Sequence, residues 1–525
     1  METSTKNDRV NEALFAAIDV GSNAIRLGIA TLDGEGKPHL IHRHRETVRL
    51  GRDAFTTGCF SEATMCLTVG AFRQFRRLLE QHRVGRLRAV ATSAMRDARN
   101  GQQLIERIRA ETGIEIECIS GDEEARLVHR SIANRIDIAG IEALCIDIGG
   151  GSVEITLCAD GEPVAAQSLK LGTVRLLGML NDSNAFPRLL REYLDGARRK
   201  LRELIAGHRP MLCIGTGGNA SALGVLGRKQ LGTSSAKRLS LDALGQLLTL
   251  LAGMSVQERI RKLDLRPDRA DVILPAAMIF HEMMCLARCR TLELPDASLL
   301  DGVLIEMSTQ PELGLIAQQR MLRAWAHGLK DKYHVDERHA ACVARLALQL
   351  FDALAPLHGL SPRMRLLLEV AALIHEIGIY VSASGHHRHA AYVIMATPML
   401  ALSASEKRLL AQIVRYHRKA SPSTEHEPFR KLSTKKQAIV WQLSAILRLS
   451  IALNKERRDR VRHIAVHIDK KRIDLRLSGE GELLLERWAA MRQRDYFHKA
   501  FGKQLVVSLE DSARRPTPAT TPAAR

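Results

Sequence analysis

The feature that most constrains this fold is a short motif that occurs twice, with its aspartates 128 positions apart. One copy is residues 17–23, AIDVGSN, and the other is residues 145–152, CIDIGGGS. Each copy is an apolar, strand-like run that ends in an aspartate, turns on glycine and leads into a second apolar run. Glycine turns let backbone N–H groups close around an anion, and a strand-end carboxylate can hold a cation beside them. The repeat therefore predicts a duplicated fold that binds phosphate groups from both sides.

Two further loops add groups suited to phosphate. Residues 215–222, GTGGNASA, follow an apolar strand and precede a helical pattern, and helix N-termini bind anions. In residues 91–98, ATSAMRDA, the end of a strand is followed by two hydroxyl side chains and then by an arginine suited to bidentate phosphate contact. Alone, the first of these loops is better explained as an ordinary tight turn. The four loops together give these candidate phosphate-binding residues: Ser22, Asn23, Ser93, Arg96, Gly149, Gly150, Ser152, Gly217, Gly218 and Asn219.

Two acidic residues of the second copy are candidates for holding a metal ion. Asp147 precedes the triple glycine and Glu154 follows Ser152, so a hairpin would bring both carboxylates to one loop. Mg²⁺ typically takes one or two carboxylates together with phosphate oxygens, and it neutralises charge that develops during phosphoryl transfer. Asp19, at the matching position of the first copy, is a third candidate. The alternatives are that Asp147 only fixes the turn and that Glu154 faces solvent on its strand.

Glu124 is the candidate catalytic residue. It lies in residues 120–126, SGDEEAR, where Ser120 and Glu123 have the spacing of a helix capping box. That box accounts for Glu123 and leaves Glu124 free in the first helical turn, where the helix dipole already favours an acidic side chain. A carboxylate aimed at a phosphate cleft could instead orient or deprotonate an attacking water.

The chain changes character near residue 311. Before that point strands alternate with amphipathic helices, among them a strand at Arg88–Thr92 and a helix at Gly101–Thr112. Beyond it the pattern is mostly helical until Arg462–Leu477, where the alternation predicts two short strands. We therefore predict four parts, at residues 11–135, 136–310, 311–510 and 511–525, the last of them, like residues 1–10, a disordered end.

Charge follows the same boundary. Residues 311–525 hold 36 Lys and Arg against 20 Asp and Glu, which is +16 of the chain's net +19. A basic domain beside a near-neutral one predicts a polyanionic partner, and a merely solubilising charge is the alternative. With 4% aromatic residues the platforms for base stacking are sparse, so we expect no specific nucleic acid. The absence of an 18-residue apolar run, of an N-terminal apolar signal core and of paired cysteine spacings predicts a cytoplasmic protein without a membrane span.

The motifs AIDVGSN, ATSAMRD, SGDEEAR, IDIGGGSVE and GTGGNASA occur in this order. Together they resemble the exopolyphosphatase/guanosine pentaphosphate phosphohydrolase family, and the resemblance covers residues 14–310. It implies an α/β actin-like ATPase fold (ribonuclease H-like) with two duplicated subdomains around a cleft. It also implies that Glu124 activates water and that Asp147, Gly149 and Glu154 organise Mg²⁺ and phosphate. A monovalent cation such as K⁺ is a further candidate cofactor.

The C-terminal region resembles the long members of this family, which carry a mostly α-helical domain related to HD phosphohydrolases. The matching residues are His339, His375, Glu376 and the segments 385–389 (GHHRH) and 415–419 (RYHRK). An active HD site uses His and Asp ligands, whereas here Glu376 stands in the His-Asp pair and Asn454 stands where a late Asp is expected. We therefore expect a cationic track for a long phosphate chain rather than a metal site. Its candidate residues are Arg388, Arg415, His417, Arg418 and Lys419.

The resulting prediction is a Mg²⁺-dependent exopolyphosphatase that releases terminal orthophosphate from linear inorganic polyphosphate. The first alternative is a guanosine pentaphosphate 5′-phosphatase that uses the same site. A sugar-kinase-like or chaperone-like ATPase is a third interpretation, because that superfamily shares the phosphate loops, although the SGDEEAR segment is not a general feature of it. Resemblance to the long family members also implies a homodimer.

Overall fold

The structure is a computed structural model, and it describes residues 14–179, 186–309, 311–399 and 401–510. The predicted disordered ends, 1–10 and 511–525, lie outside these ranges. The chain divides into two compact units. The first unit contains the residues up to 324 together with 398–401, and the second contains residues 325–397 and those from 402 onward.

A five-stranded sheet with the order β3-β2-β1-β4-β5 forms the first half of unit 1. Its strands are β1 (Phe15–Val20), β2 (Ile25–Leu32), β3 (Pro38–Glu46), β4 (Arg86–Ala91) and β5 (Ile116–Cys118). The helices of this half are α1 (Leu50–Thr56), α2 (Glu62–Gln81), α3 (Ser93–Asp97), α4 (Gly101–Thr112) and α5 (Gly121–Ala133). Strands β1, β2 and β3 pair antiparallel, whereas β4 lies parallel to both β1 and β5.

A six-stranded sheet with the order β10-β11-β9-β6-β7-β8 forms the second half. Its strands are β6 (Glu142–Ile148), β7 (Val153–Ala159), β8 (Glu162–Leu169), β9 (Leu212–Thr216), β10 (Arg238–Ser240) and β11 (Thr291–Glu293). Strands β6, β7 and β8 pair antiparallel and β9 lies parallel to β6, which repeats the arrangement of β1 to β4. The repeated topology confirms the predicted duplication.

The described helices of the second half are α6 (Thr173–Met179), α7 (Phe186–Leu204), α8 (Gly217–Leu231), α9 (Leu241–Ala252), α10 (Val256–Leu263), α11 (Pro267–Ala270), α12 (Ile273–Ala287) and α13 (Leu299–Ser308). The last of them, α13, packs against β1 and β2 of the first sheet. Among the described helices, the stretch Pro267–Ala287 is long and apolar enough to cross a membrane by composition, with a mean hydropathy of 1.5. Its apolar window is 61% buried inside the protein, and its helix α12 supplies core residues such as Phe280. The apolar composition of this stretch is therefore explained by its place in the protein core.

Unit 2 is mostly helical and ends in a small sheet. The helices from residue 311 onward are α14 (Pro311–Lys332), α15 (Glu337–Ala353), α16 (Ala355–His358), α17 (Pro362–Ile374), α18 (His386–Ala396), α19 (Ala404–Arg415), α20 (Glu427–Arg430), α21 (Thr434–Ala452), α22 (Leu484–Met491) and α23 (Arg494–Phe501), with a 3₁₀ turn at Ile377–Tyr380. The strands are β12 (Val461–Ile468), β13 (Arg472–Gly479) and β14 (Gln504–Leu509). The two strands predicted within Arg462–Leu477 are present, and β14 adds a third, parallel to β13.

Candidate active site

The two copies of the motif form the same turn. After β1, the N–H of Gly21 donates to the carbonyl oxygen of Ala24 at 3.1 Å. After β6, the N–H of Gly149 donates to the carbonyl oxygen of Ser152 at 3.0 Å. Each turn joins two antiparallel strands, so the residue at the end of the first strand faces a residue of the second.

The facing residues differ between the halves. Asp19 lies opposite Arg26 in the β1–β2 register, and Asp147 lies opposite Glu154 in the β6–β7 register. Arg26 Nη1 donates to Asp19 Oδ2 at 2.7 Å, so the Asp19 carboxylate already has a cationic partner. Asp19 therefore differs from Asp147 in having an arginine that balances its charge, and its role as a metal ligand stays a prediction.

The second half instead gathers three carboxylates. Glu124, at the start of α5, joins Asp147 and Glu154, and one oxygen of each lies within 4.8 Å of the others. Thr216 Oγ1 donates to Asp147 Oδ1 at 2.8 Å, and Ser168 Oγ donates to Glu154 Oε1 at 3.0 Å. Both hydroxyl groups fix the orientation of the carboxylates that they contact.

Two oxygens of this group lack partners. Glu124 Oε2 and Glu154 Oε2 are buried, and neither has a hydrogen-bond partner among the described residues. A buried, unpaired carboxylate oxygen is costly unless something positive binds it. Oxygen atoms arranged in this way fit a hard divalent cation such as Mg²⁺, which prefers oxygen ligands.

Burial and mutual repulsion also change the acidity of the group. Desolvation, followed by the charges of Glu154 and Asp147, raises the pKa of Glu124 well above its ordinary value. Desolvation and the charge of Asp147 raise the pKa of Glu154 to about 7. Desolvation likewise raises the pKa of Asp147, and the hydrogen bond from Thr216 opposes the change. Carboxyl groups with raised pKa values can exchange protons near neutral pH.

The predicted phosphate loops meet at one cavity of about 80 Å³ next to these carboxylates. The predicted residues that line it are Asp19, Ser22, Asn23, Ser93, Glu124, Asp147, Gly149, Gly150, Ser152, Gly217, Gly218 and Asn219. Ser22 Oγ and Ser93 Oγ lie 3.1 Å apart, so the first and fourth loops are in direct contact. Asn23 Nδ2 donates to the carbonyl oxygen of Asp268 at 2.9 Å.

Two predicted residues lie outside the cavity lining. Arg96 donates to the carbonyl oxygen of Ile119 and does not line this cavity, but its positive charge acts to lower the pKa values of Glu124 and Glu154, so its contact with phosphate stays a prediction. Glu154 does not line this cavity, although it belongs to the same carboxylate group as Asp147 and Glu124.

Gly217 is a position where only glycine fits. Its φ of 82° lies in the left-handed region, and a Cβ there would stand 2.9 Å from Asp147 Oδ1. The third loop can therefore approach the carboxylate closely because this residue has no side chain.

The loop of residues 149–151 is fixed from behind by the start of α6. The carbonyl oxygen of Gly149 accepts the N–H of Thr173 at 3.1 Å. The carbonyl oxygen of Gly150 accepts the N–H groups of Val174 and Arg175 at 2.9 and 3.0 Å. Since N–H and C=O point in opposite directions in a trans peptide, the N–H groups of these peptides point away from α6.

Sequence reasoning missed four side chains that line or support the site. Arg26 and Arg269 line the cavity, Thr216 holds Asp147 and Ser168 holds Glu154. Arg269 donates to Asn219 Oδ1, which orients that side chain. The signal for Arg26 was its spacing of seven residues from Asp19, the same as the spacing of Glu154 from Asp147.

The predicted capping box at α5 is formed only in part. Ser120 Oγ accepts the N–H of Glu123 at 3.2 Å, as predicted. The Glu123 carboxylate does not return to Ser120, because Arg126 donates to it at 2.8 and 2.7 Å. Glu123 is thus held on the helix surface, and Glu124 is left to enter the cavity.

In unit 2 the residues of the predicted cationic track differ in exposure. Arg388, Arg418 and Lys419 are exposed, and Arg415 is half-buried. His417 is only 5% exposed and packs against other histidines. His417 is therefore less exposed than its basic neighbours, although it lines a cavity of unit 2 together with Arg418 and Lys419.

A duplicated α/β fold with phosphate loops around one cavity and three carboxylates beside them defines a phosphate-hydrolysing enzyme of the actin-like ATPase fold. The chain belongs to the Ppx/GppA phosphatase family, whose sequence profile matches residues 29–310. The profile of domain III of that family matches residues 323–490. The protein is therefore a hydrolase that acts on phosphoanhydride bonds.

Individual relatives agree with this assignment. Guanosine-5′-triphosphate,3′-diphosphate pyrophosphatase of Aeromonas hydrophila is 27% identical over 450 residues, or 84% of this chain and 88% of that protein. The protein of the same name from Vibrio vulnificus is 25% identical over 453 residues, or 85% of this chain and 88% of that protein. The crystal structure of an exopolyphosphatase from Cytophaga hutchinsonii aligns with a TM-score of 0.53 and 27% identity, over 56% of this chain and 97% of that chain.

Proposed function

We propose that the protein is a Mg²⁺-dependent exopolyphosphatase that releases orthophosphate from the end of linear inorganic polyphosphate. The observation that carries this proposal is the buried group of Glu124, Asp147 and Glu154 beside the phosphate loops. The loops would hold the terminal phosphate, and the carboxylates would supply the base and the metal ligands.

Glu124 is the proposed base. Its pKa is raised by burial and by two neighbouring carboxylates, and its Oε2 is free to accept a proton from water. Asp147 and Glu154 are the proposed ligands of Mg²⁺, which would neutralise charge on the phosphate oxygens. Thr216 and Ser168 hold these two ligands in place, as partners of metal ligands do.

The loop residues are proposed to orient the substrate. Ser22, Asn23, Ser93, Gly149, Gly150, Ser152, Gly217, Gly218 and Asn219 surround the cavity, and Arg26 and Arg269 add positive charge to its wall. Positioned donors of this kind stabilise charge that develops on phosphate in the transition state. The bond that breaks joins the terminal phosphorus to its bridging oxygen, and the water oxygen replaces it.

Guanosine pentaphosphate is the second candidate substrate at the same site. The observation that favours it is the name and the coverage of the two curated relatives, which align over 84% and 85% of this chain. The net charge of +16 in residues 311–525 favours the longer polyanion instead.

One experiment separates the candidates. Purified protein is assayed for phosphate release from polyphosphate, guanosine pentaphosphate and ATP under identical conditions, with Mg²⁺ and with excess EDTA. We expect the highest kcat/KM on polyphosphate and no release of phosphate in excess EDTA. A higher kcat/KM on guanosine pentaphosphate would reverse the order of the candidates, and hydrolysis of ATP alone would reject both.

The proposal also covers the cellular location, the oligomeric state, the domains and a second cofactor of the protein. We propose a cytoplasmic homodimer, boundaries close to residues 135, 310 and 510, and an HD-like ancestry for the C-terminal helical domain. The supporting observation for the ancestry is that His339, His375 and Glu376 stand together in unit 2. K⁺ remains a candidate second cofactor, to be tested by replacing it with Na⁺ in the assay.

A further inference from the structure

The side chain of Arg175, in the first turn of α6, joins the two halves of unit 1 beside the phosphate loops. Its Nε donates to the carbonyl oxygen of Gly151 at 2.8 Å, and its Nη2 donates to Asp97 Oδ2 at the end of α3. Its Cζ lies 3.9 Å from the centroid of the Phe55 ring on α1. One arginine of the second half thus contacts a loop of its own half and two helices of the first half.

Each of these two helices carries or supports a loop that lines the phosphate cavity. Helix α3 begins at Ser93, whose hydroxyl group faces that of Ser22 at 3.1 Å. In α1 the N–H of Gly51 donates to the carbonyl oxygen of Ser22 at 2.7 Å. The segments that Arg175 contacts therefore position Ser22, Ser93 and the loop of residues 149–151.

The two halves meet closely at Gly151 because this residue has no side chain. A Cβ atom at Gly151 would overlap Ser93 Oγ and the Phe55 ring. The loop of residues 149–151 consists of three glycines, so it offers only backbone groups to the first half. Arg175 adds a charged side chain to this contact and binds both sides of it.

The shape of an arginine side chain suits this position. The guanidinium group is planar, and it can bind two acceptors in fixed directions while its face stacks on an aromatic ring. Arg175 makes all three contacts at once, and its side chain is only 14% exposed. A lysine ammonium is a compact point charge without a flat face, so it could not make the same three contacts.

Arg175 acts on the phosphate cavity through other residues, because it does not line the cavity itself. The cavity is bounded by Ser22 and Ser93 from the first half and by Gly149 and Gly150 from the second. Its dimensions therefore depend on how the two halves are held together. A side chain that holds them affects phosphate binding without touching the ligand.

We propose that Arg175 is a positioning residue that holds the loops of the two halves in the arrangement that binds phosphate. The inference rests on the proposed function of the same site. Without the Arg175 side chain the loops would adopt the binding arrangement for only a fraction of the time, and the apparent affinity for phosphate falls by that fraction. A bound substrate restores the arrangement, so turnover at saturating substrate stays close to normal.

The first test measures binding of inorganic phosphate to the full chain by titration calorimetry in the presence of Mg²⁺. Arg175→Met keeps an unbranched apolar stem over Phe55 and removes both hydrogen bonds. We expect the Kd for phosphate to rise by at least about tenfold, which corresponds to a binding arrangement adopted one-tenth of the time. An unchanged Kd in a folded Arg175→Met protein would overturn the proposal, and so would a parent protein that binds no phosphate.

Steady-state kinetics separate positioning from chemistry. In Arg175→Met, KM for polyphosphate should rise by the same factor as the Kd for phosphate, and kcat should stay nearly unchanged. A fall in kcat with an unchanged KM would mean that Arg175 acts on the reaction itself, which contradicts the proposal. If the parent protein releases no phosphate from polyphosphate, the proposed function fails, and the calorimetric comparison still decides the role of Arg175.

Two further variants separate a positioning role from a contribution to stability. Arg175→Lys keeps a positive charge beside Asp97 and should retain the Tm of the parent protein, but it should not restore the Kd for phosphate. Asp97→Ala should raise the Kd in the parent protein and add little in Arg175→Met, since the two residues act through one contact. Asp97→Ala also keeps the test available if Arg175→Met does not fold. Recovery of phosphate affinity by lysine, or full additivity of the two losses, would contradict the proposal.

Arg49→Met is the matched control. Arg49 Nη2 donates to Asp271 Oδ2 at 2.6 Å, which gives a second arginine–aspartate pair between the two halves. Neither residue of this pair lines the cavity. The Kd for phosphate should therefore stay close to the parent value in Arg49→Met. Equal losses of affinity in Arg49→Met and Arg175→Met would assign the effect to the general attachment of the halves and overturn the specific role of Arg175.

Discussion

Asp147 and Glu154 lie directly opposite each other on the antiparallel strands β6 and β7, with one oxygen of each within 4.8 Å of the other. In the first half of the duplication the equivalent pair is Asp19 and Arg26, joined by a salt bridge of 2.7 Å. One cross-strand position thus carries opposite charge in the two halves. The first half neutralises its own aspartate, and the second half presents two acids that need a cation.

Replacing Glu124 by glutamine should lower kcat by roughly 10²–10⁴, the usual contribution of a general base, because an amide cannot take a proton from water. Phosphate release under saturating Mg²⁺ measures this effect. Glu123→Gln is the matched control, since its carboxylate binds Arg126 and lies outside the cavity. Turnover close to normal in a folded Glu124→Gln protein would remove Glu124 from the mechanism.

Asp147→Asn and Glu154→Gln should each raise the Mg²⁺ concentration needed for half-maximal activity, because each change removes a hard anionic ligand. The measurement is a Mg²⁺ titration of phosphate release. Glu142→Gln is the control, since Glu142 lies on the same strand β6 and binds His208 instead. An unchanged Mg²⁺ requirement in both site variants would contradict the assignment.

The Mg²⁺ requirement should depend on pH. The raised pKa of Glu154, about 7, means that without metal its carboxyl group is protonated below that pH. Mg²⁺ must then displace the proton, so the half-maximal Mg²⁺ concentration should rise by up to about tenfold per unit as pH falls from 7 to 5. Mg²⁺ titrations at several pH values check the slope, and Glu154→Gln should flatten it. A flat profile in the parent protein would argue against Glu154 as a ligand.

Arg26→Gln should destabilise unit 1 by about 1–3 kcal/mol, the cost of leaving one buried polar group unpaired, because Asp19 is buried and loses its partly exposed cationic partner. Urea unfolding measures the loss. The double variant with Asp19→Asn should recover most of it, since no uncompensated charge remains. Equal losses in the single and the double variant would mean that the unpaired charge of Asp19 is not the cause of the loss.

Arg418→Gln together with Lys419→Gln should raise KM for long polyphosphate and leave KM for short oligophosphates nearly unchanged. Contacts remote from the reacting phosphate add binding energy only for chains long enough to touch them. Lys470→Gln with Lys471→Gln is the control, because it removes the same exposed charge from the turn between β12 and β13. Added salt should weaken activity on long chains more than on short ones. The same increase in KM in both double variants would mean that the net charge of the protein, rather than a track at these two residues, determines the binding of long chains.

Much of the site was predictable because its residues lie close to glycine turns. The spacing of Asp147, the triple glycine and Glu154 predicts a hairpin, and the hairpin alone brings the two acids together. Ser120 and Glu123 marked the start of α5 and so placed Glu124 in its first turn, and the family resemblance implied its role in activating water. Arg269 was not, since it is 50 residues from Asn219 and only folding brings the two together.

Other features depend on packing that no local pattern records. The alternation of Gln504–Leu509 is only six residues long, so β14 becomes recognisable only when it pairs with β13. His417 stands among basic residues in sequence, and its burial follows from the packing of its ring against His375 and His386. A charge-rich sequence segment predicts an exposed surface on average, but not which side chain turns inward.

The attachment of residues 149–151 to the start of α6 has a consequence for binding. Because the carbonyl oxygens of Gly149 and Gly150 are already held by the N–H groups of Thr173, Val174 and Arg175, the peptide planes of this loop cannot rotate freely before a ligand arrives. Glycine otherwise has the largest conformational freedom to lose. The ordering entropy of the loop is therefore spent during folding, and an incoming phosphate meets a receptor that is already preorganised.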